Sequence, residues 1–199
     1  MKKILMTLAV TMAALTMNAQ GKYVGGSMGL STQSYDGSTQ NTTISFNPHF
    51  GISFNQNMGV GLEMGYSHNI DKSHKEGAGG YQDTRNTFSV SPYLRFTPLH
   101  FDKVAIFVDG MLSYSTSTTK REYSGAGSAD TDFTTNGYGI AVKPGIAYGI
   151  NKHFGLTARL GNLISMNSSK PDVEGAKSTT TIQFLNVSNA VNFGLFYKF

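Results

Sequence analysis

The chain has 199 residues, enough for one domain or one barrel, with 16 Lys and Arg against 12 Asp and Glu and a formal net charge of +4. So small a charge, with no basic run longer than Lys120-Arg121, gives no case for nucleic acid as a partner, and the absence of cysteine excludes disulfides. Only 14% of the residues are charged, while 23 glycines, 10 tyrosines and 13 phenylalanines favour strands and turns over helices.

Residues 1–19 read as a secretory signal peptide. A positive "MKK" precedes an apolar run over 4–17, and "NAQ" follows with Ala19 at the expected cut. Cleavage removes Lys2 and Lys3, so the net charge falls from +4 to +2 over the single domain expected at 20–199. Nothing in that domain approaches the ~18 apolar residues of a membrane helix.

Alternation governs the rest, because successive side chains of a strand point to opposite faces. Eight strands are expected near 22–33, 42–54, 58–70, 84–97, 104–117, 136–150, 154–167 and 181–199. The second carries Ile44, Phe46, Phe50, Ile52 and Phe54 on one face. The third carries Val60, Leu62, Met64 and Tyr66, against Gly61, Glu63 and Gly65. The fourth sets Phe88, Val90, Leu94 and Phe96 against Ser89, Ser91, Tyr93 and Arg95. The sixth sets Tyr138, Ile140, Val142, Ile146 and Tyr148 against glycine, alanine and Lys143. In the last, Val191, Phe193, Leu195, Tyr197 and Phe199 share a face to the final residue. Asn162 and Asn189 break the pattern on the apolar face, and Phe107, Met111 and Leu163 break it on the other.

The connections fall into two classes. "NQN", "PLHFDK" and "NKH" are short. "SYDGSTQN", "DKSHKEGAGGYQD", "TKREYSGAGSADTDFTT" and "SSKPDVEGAKSTT" are long and polar, and read as loops. A hairpin template recurs around the short turns at 46–65, 90–110 and 142–161, each with an apolar-x-Pro start at Pro48, Pro92 or Pro144 and a closing glycine.

The charges decide which way the apolar face points. Glu63, Arg95, Asp109, Lys143 and Arg159 all fall opposite it, on a face otherwise rich in Gly, Ala and Ser. Large aromatics mark both strand ends on the apolar face, and a charge there near mid-bilayer would cost about 2–4 kcal/mol. The expected fold is therefore all-β: an eight-stranded antiparallel up-and-down transmembrane β-barrel, its apolar face on lipid. The five charges are expected to form a paired network in the lumen, with Glu63–Arg95 and Arg95–Asp109 in contact and Lys143 and Arg159 reaching the same carboxylates.

The leader, the alternating strands, the three Pro-containing hairpins and the terminal "FYKF" resemble the small outer-membrane β-barrel family of OmpA/OmpX-type and opacity-like surface antigen barrels. The resemblance spans residues 20–199. It implies the bacterial outer membrane, surrounding lipid and lipopolysaccharide, a monomer, and a host or surface ligand met through the loops. It also implies that Phe193, Leu195, Tyr197 and Phe199 form the signal read by the barrel-assembly machinery.

No cofactor or metal constellation is apparent. His49, His68, His74, His100 and His153 are scattered, and His68 with Ser67 or Ser115 is the one candidate for a lipid A-modifying enzyme. The expected function is a structural or surface-interaction barrel and not an enzyme; the alternatives are a narrow porin-like channel and, behind it, that enzyme. If the terminal residues are a recognition signal, deleting Phe199 or changing it to Asp reduces outer-membrane levels in cells far more than refolding yield in detergent. Unchanged levels of the mutant would contradict it.

Overall fold

The computed structural model describes residues 21–35, 39–75, 78–124, 131–173, 175–186 and 191–199. The expected leader and Asn189 lie outside them. The described residues form ten antiparallel strands: β1 (Gly21–Tyr35), β2 (Thr39–Ser53), β3 (Met58–Lys75), β4 (Ala78–His100), β5 (Val104–Ser124), β6 (Thr131–Gly149), β7 (Phe154–Arg159), β8 (Asn162–Pro171), β9 (Thr179–Asn186) and β10 (Asn192–Lys198). Each neighbours the next from β1 to β6, β7 pairs with both β6 and β10, and β10 returns to β1. That circuit of eight strands closes the sheet at the end holding the short turns. Further along, β8 and β9 continue the seventh and eighth staves, β8 pairing with β6 and β9 with β8.

The polarity of the barrel is inverted relative to a soluble protein. Met28, Ile44, Phe46, Phe50, Leu94 and Leu112 are exposed on the outer face, while Ser27, His49, Ser91, Asp109, Thr157, Arg159 and Ser165 are buried inside. An outer surface of this kind is stable only against lipid. Aromatic rings bound it at both ends. Phe96, Tyr148, Phe154 and Tyr197 lie near the short turns, with Tyr197 packed edge-on to Phe154 and Phe199 at 5.0 and 5.1 Å. Tyr66, Phe88, Tyr114 and Tyr138 lie toward the other end, where Tyr66 and Tyr114 donate to Asn86 and Asn136 at 3.1 Å each. Tyr138 and Tyr148 are ten residues apart on β6. At ~3.3 Å per residue and ~40° tilt that spacing gives about 25 Å along the membrane normal, the height of a lipid-facing band.

The eighth stave differs from the expected single strand over 181–199. Gly145 pairs with Arg159, but Val142 pairs with Ile164, so the seventh stave carries two extra residues opposite Lys143 and Pro144. The break falls at Leu160–Gly161, and Asn162 and Leu163, which disturbed the alternation, sit in this bulge. Between staves seven and eight the register moves as well, from Arg159↔Asn192 to Asn162↔Asn186. The three template prolines share one cause. Each is paired with the preceding strand, Gly26↔Pro48, Leu62↔Pro92 and Val108↔Pro144. The ladder toward the following strand is interrupted at all three, as expected of a residue with no N–H to donate. At Pro144 the interruption becomes the bulge, and the Pro144 carbonyl accepts the Leu160 amide at 2.9 Å.

Three of the long polar connections are largely strand, not loop. The β1–β2 ladder runs out to Tyr35↔Thr39, β3–β4 to Lys75↔Ala78 and β5–β6 to Arg121↔Thr131. Their Thr, Ser and Asn content hid this, because it carries no apolar alternation. Beyond the bilayer both faces meet water and no such alternation is needed.

Inside the barrel, four aromatic rings lie directly over glycines on the neighbouring strand: Tyr23 on Gly51, Tyr93 on Gly61, Phe107 on Gly145 and Phe196 on Gly155. A Cβ added at any of these glycines would come closer than 3.0 Å to the ring. Gly61→Ala therefore destabilises the refolded barrel by about 1–3 kcal/mol in urea unfolding, through overpacking. Gly110→Ala, whose added Cβ meets only the Leu94 carbonyl at 3.9 Å, stays within about 0.5 kcal/mol of wild type. Equal losses at both positions would refute this account of the ring–glycine pairs.

Candidate functional site

The lumen is filled in the half nearer the short turns. β3, β4, β5, β6 and β7 each present one inward charge there: Glu63, Arg95, Asp109, Lys143 and Arg159. Asp109 is wholly buried. Arg95 binds it bidentately, Nε to Oδ1 at 2.7 Å and Nη2 to Oδ2 at 2.8 Å, the fork geometry that suits guanidinium to carboxylate. Arg159 Nε lies 3.2 Å from Asp109 Oδ2, and Arg159 Nη1 reaches across the lumen to Glu63 Oε2. The chain of contacts is thus Arg95–Asp109–Arg159–Glu63, two bases and two acids in series.

The sequence reading differs from this arrangement in two places. Glu63 meets Arg159 rather than Arg95. Lys143, although directly opposite Asp109 in the β5–β6 register, enters none of the ion pairs among the described residues.

Aromatic rings enclose the charges. The Arg95 guanidinium lies 3.9 Å from the Phe107 ring centre and 5.5 Å from those of Tyr23 and Tyr93. The Tyr23 and Tyr93 hydroxyls meet at 2.9 Å across the lumen, between β1 and β4. Phe107 is 1% and Met111 4% exposed, so two of the three residues that broke the inner face belong to the plug. His49 is buried beside them, its ring edge-on to Tyr23 with centroids 6.2 Å apart. Tyr23 and Phe196 were not foreseen as plug residues; their signal is an inward aromatic opposite an inward glycine.

Above the plug the lumen is polar and small-chained, lined by Ser27, Asn47, Ser89, Ser113 and Asn167. Higher still, the projecting hairpins are tied side chain to side chain. Arg121 binds Asp83 bidentately at 2.7 and 2.6 Å, Arg85 donates to Thr119 at 3.2 Å, Thr87 meets Ser117 at 2.8 Å, and Asn69 donates to Asn41 and Thr43 at 3.0 and 2.7 Å. The enzyme alternative finds no support in this geometry. His68 Nδ1 lies 2.7 Å from Asn86 Oδ1, and by strand parity His68 faces outward while Ser67 and Ser115 face the lumen.

The terminal residues close the wall. Gly26↔Leu195 and Val24↔Tyr197 pair β10 with β1, and the Phe199 amide donates to the Lys22 carbonyl at 3.0 Å.

Comparison with known proteins agrees with the architecture. A major outer membrane protein of Thermus thermophilus superposes with a TM-score of 0.57 at 12% identity, over 90% of this chain and 98% of its own. Neisserial surface protein A gives 0.42 at 15% identity over 90% and 96%, and the attachment invasion locus protein of Yersinia pestis gives 0.43 at 15% over 90% and 97%. None of the curated proteins compared matches the chain. The family model described as outer membrane protein beta-barrel domain matches residues 4–199. With that match across nearly its whole length, the chain belongs to the outer membrane protein β-barrel domain family, whose members are barrels of the bacterial outer membrane.

Proposed function

We propose that this protein is a closed barrel whose task is carried by the sheet it raises above the membrane: a scaffold that presents ordered hairpins to a ligand at the cell surface. The observation that carries the reading is the extent of that sheet. β5 continues ten residues past the girdle residue Tyr114, about 33 Å along the strand at ~3.3 Å per residue, and stays paired on both sides over most of that length. Cross-strand bonds such as Arg121–Asp83 hold it in one shape before any ligand arrives, which lowers the ordering cost of binding. Permeation is disfavoured by the same interior. An eight-stranded barrel has room for little more than its own side chains, and here those side chains include a crossed ion-pair chain and a layer of rings. The four hairpin ends face outward from the cell, and the short turns face the periplasm.

Epitope insertions test the orientation. A tag at Gly79 or Ala126, the latter outside the described residues, is reached by antibody on intact cells, and one at Gln56 is not. Reversed labelling would overturn the assignment of ends.

Conductance tests the plug. The refolded wild-type barrel gives no steady single-channel steps in planar bilayers. Arg159→Ala, by leaving Glu63 and Asp109 short of a partner, costs about 3–5 kcal/mol of stability. A double-mutant cycle of Arg159→Ala with Glu63→Ala returns a coupling of about 0.5–3 kcal/mol. Strict additivity, or steady conductance in the wild type, would favour the channel reading instead.

A further inference from the structure

Beyond the reach of β10 the wall is not closed. β1 pairs with β10 only from Tyr23 to Ser27, and the eighth stave continues as β9, which pairs with β8 from Asn162↔Asn186 to Ser169↔Thr179. Among the described residues β9 has no ladder to β1, and the Cα atoms of the two strands stay more than 8 Å apart almost throughout. Paired strands lie about 4.8 Å apart, so a gap of about twice that accepts one further strand. By contrast, β2 to β6 and β8 each have a neighbour on both sides. The β1–β10 ladder forms the foot of this slot. The slot crosses the level of the girdle away from the short turns: register leads from Tyr138 through Ser168 to Thr180, and from Tyr66 through Phe46 to Met28. Neither edge carries a charge or a proline, the residues that usually block strand addition. β1 reads "MGLSTQSY" over 28–35 and β9 reads "TTTIQFLN" over 179–186. The one non-glycine residue of positive φ among the described residues, Leu185 at 53°, lies at the foot of the β9 edge.

We propose that this slot takes an extended, uncharged segment of a partner polypeptide, which adds as one strand between β1 and β9. Backbone N–H and C=O groups line both edges, and where the slot dips below the girdle they have no water to bond. Another peptide backbone matches such a row of alternating donors and acceptors. A lipid acyl chain offers neither, and a second barrel cannot enter, because β1 stands beside β9 and leaves room for a strand but not for a wall. The two edges run in opposite directions, so the segment lies antiparallel to one and parallel to the other. Its side chains alternate as those of its neighbours do. Apolar ones face outward beside Leu30, Ile182 and Phe184, which are 75%, 57% and 69% exposed, and small polar ones face inward beside Ser31 and Thr181. The β9 edge is held extended in advance by its ladder to β8 and by the Thr180 hydroxyl, which donates to Ser168 Oγ at 3.3 Å. The inference names a partner class for the surface role proposed above and rests on that role for where the partner is met.

The test uses the full barrel refolded in dodecyl maltoside and a capped synthetic peptide copying residues 179–186, which has the required alternation. Amide hydrogen exchange is followed by NMR. The peptide is expected to bind saturably and to slow exchange at least tenfold at alternate amides within 29–33 and 180–184. A copy N-methylated at every second residue keeps its side chains but loses edge donors, and is expected to bind at least tenfold more weakly. Equal binding of the two copies would reduce the contact to side-chain adhesion and overturn the proposal, and no saturable binding of the unmethylated copy would remove the site. The Thr32→Cys/Ile182→Cys variant checks the gap without any peptide. Edges held this far apart cannot form a disulfide, so both thiols are expected to survive mild oxidation, and rapid bridging would show that no slot exists. Protection of the same amides in the peptide-free barrel, together with a dimer mass, would assign the edges to a second copy and overturn the peptide. These outcomes bear on the slot in the purified barrel, whereas reversed epitope labelling bears on the surface role alone.

Discussion

A peptide group facing hydrocarbon has no water to bond, so a spanning sheet must leave no edge. In this protein that requirement falls on the contact between the first and last strands. Tyr23 to Ser27 pair with Lys198 to Gly194, and the Phe199 amide adds one more bond to Lys22. Closure of the circuit then explains the inverted pattern. Every second residue must face lipid, so the outer face is Leu, Ile, Val, Met and aromatic, and the lumen inherits everything polar.

A narrow lumen turns that inheritance into a packing problem. Charges there are shielded from water on most sides, and an unpaired one is costly. The series Arg95–Asp109–Arg159–Glu63 answers this by balancing two bases with two acids, and the rings of Tyr23, Tyr93 and Phe107 cover the guanidiniums. Glycine makes room for the rings. Tyr93 can lie flat against the wall only because Gly61, directly opposite, has no side chain. The two devices are coupled, since Arg95 is held by Asp109 on one side and stacked on Phe107 on another. The half toward the long hairpins needs neither device, and its small polar residues support the paired strands that rise above it.

What could be read from the residues depended on which contacts a short turn controls. Arg95 and Asp109 sit on strands joined by the short turn "PLHFDK", so their register and their contact were legible. The four ring–glycine pairs all lie between strands joined by long connections, whose length does not set a register, and Tyr23 and Phe196 therefore went unrecognised as plug residues. Glu63 and Arg159 meet across the barrel, a contact that follows from diameter and strand tilt rather than from spacing along the chain. The projecting hairpins were mistaken for loops because alternation reports burial, and strands in water on both faces bury nothing. Phe107 and Met111, apparent errors in the pattern, are apolar because a closed lumen needs a core.

The reversed polarity of the wall is the premise for all of this, and the cysteine-free sequence makes it directly measurable. Single cysteines placed in turn from Val104 to Tyr114 and spin-labelled in proteoliposomes should alternate. Labels at 106, 108, 110 and 112 should collide with oxygen dissolved in the bilayer, and those at 107, 109, 111 and 113 should be shielded from it. Oxygen accessibility at the second set, with water-soluble relaxation at the first, would contradict the account.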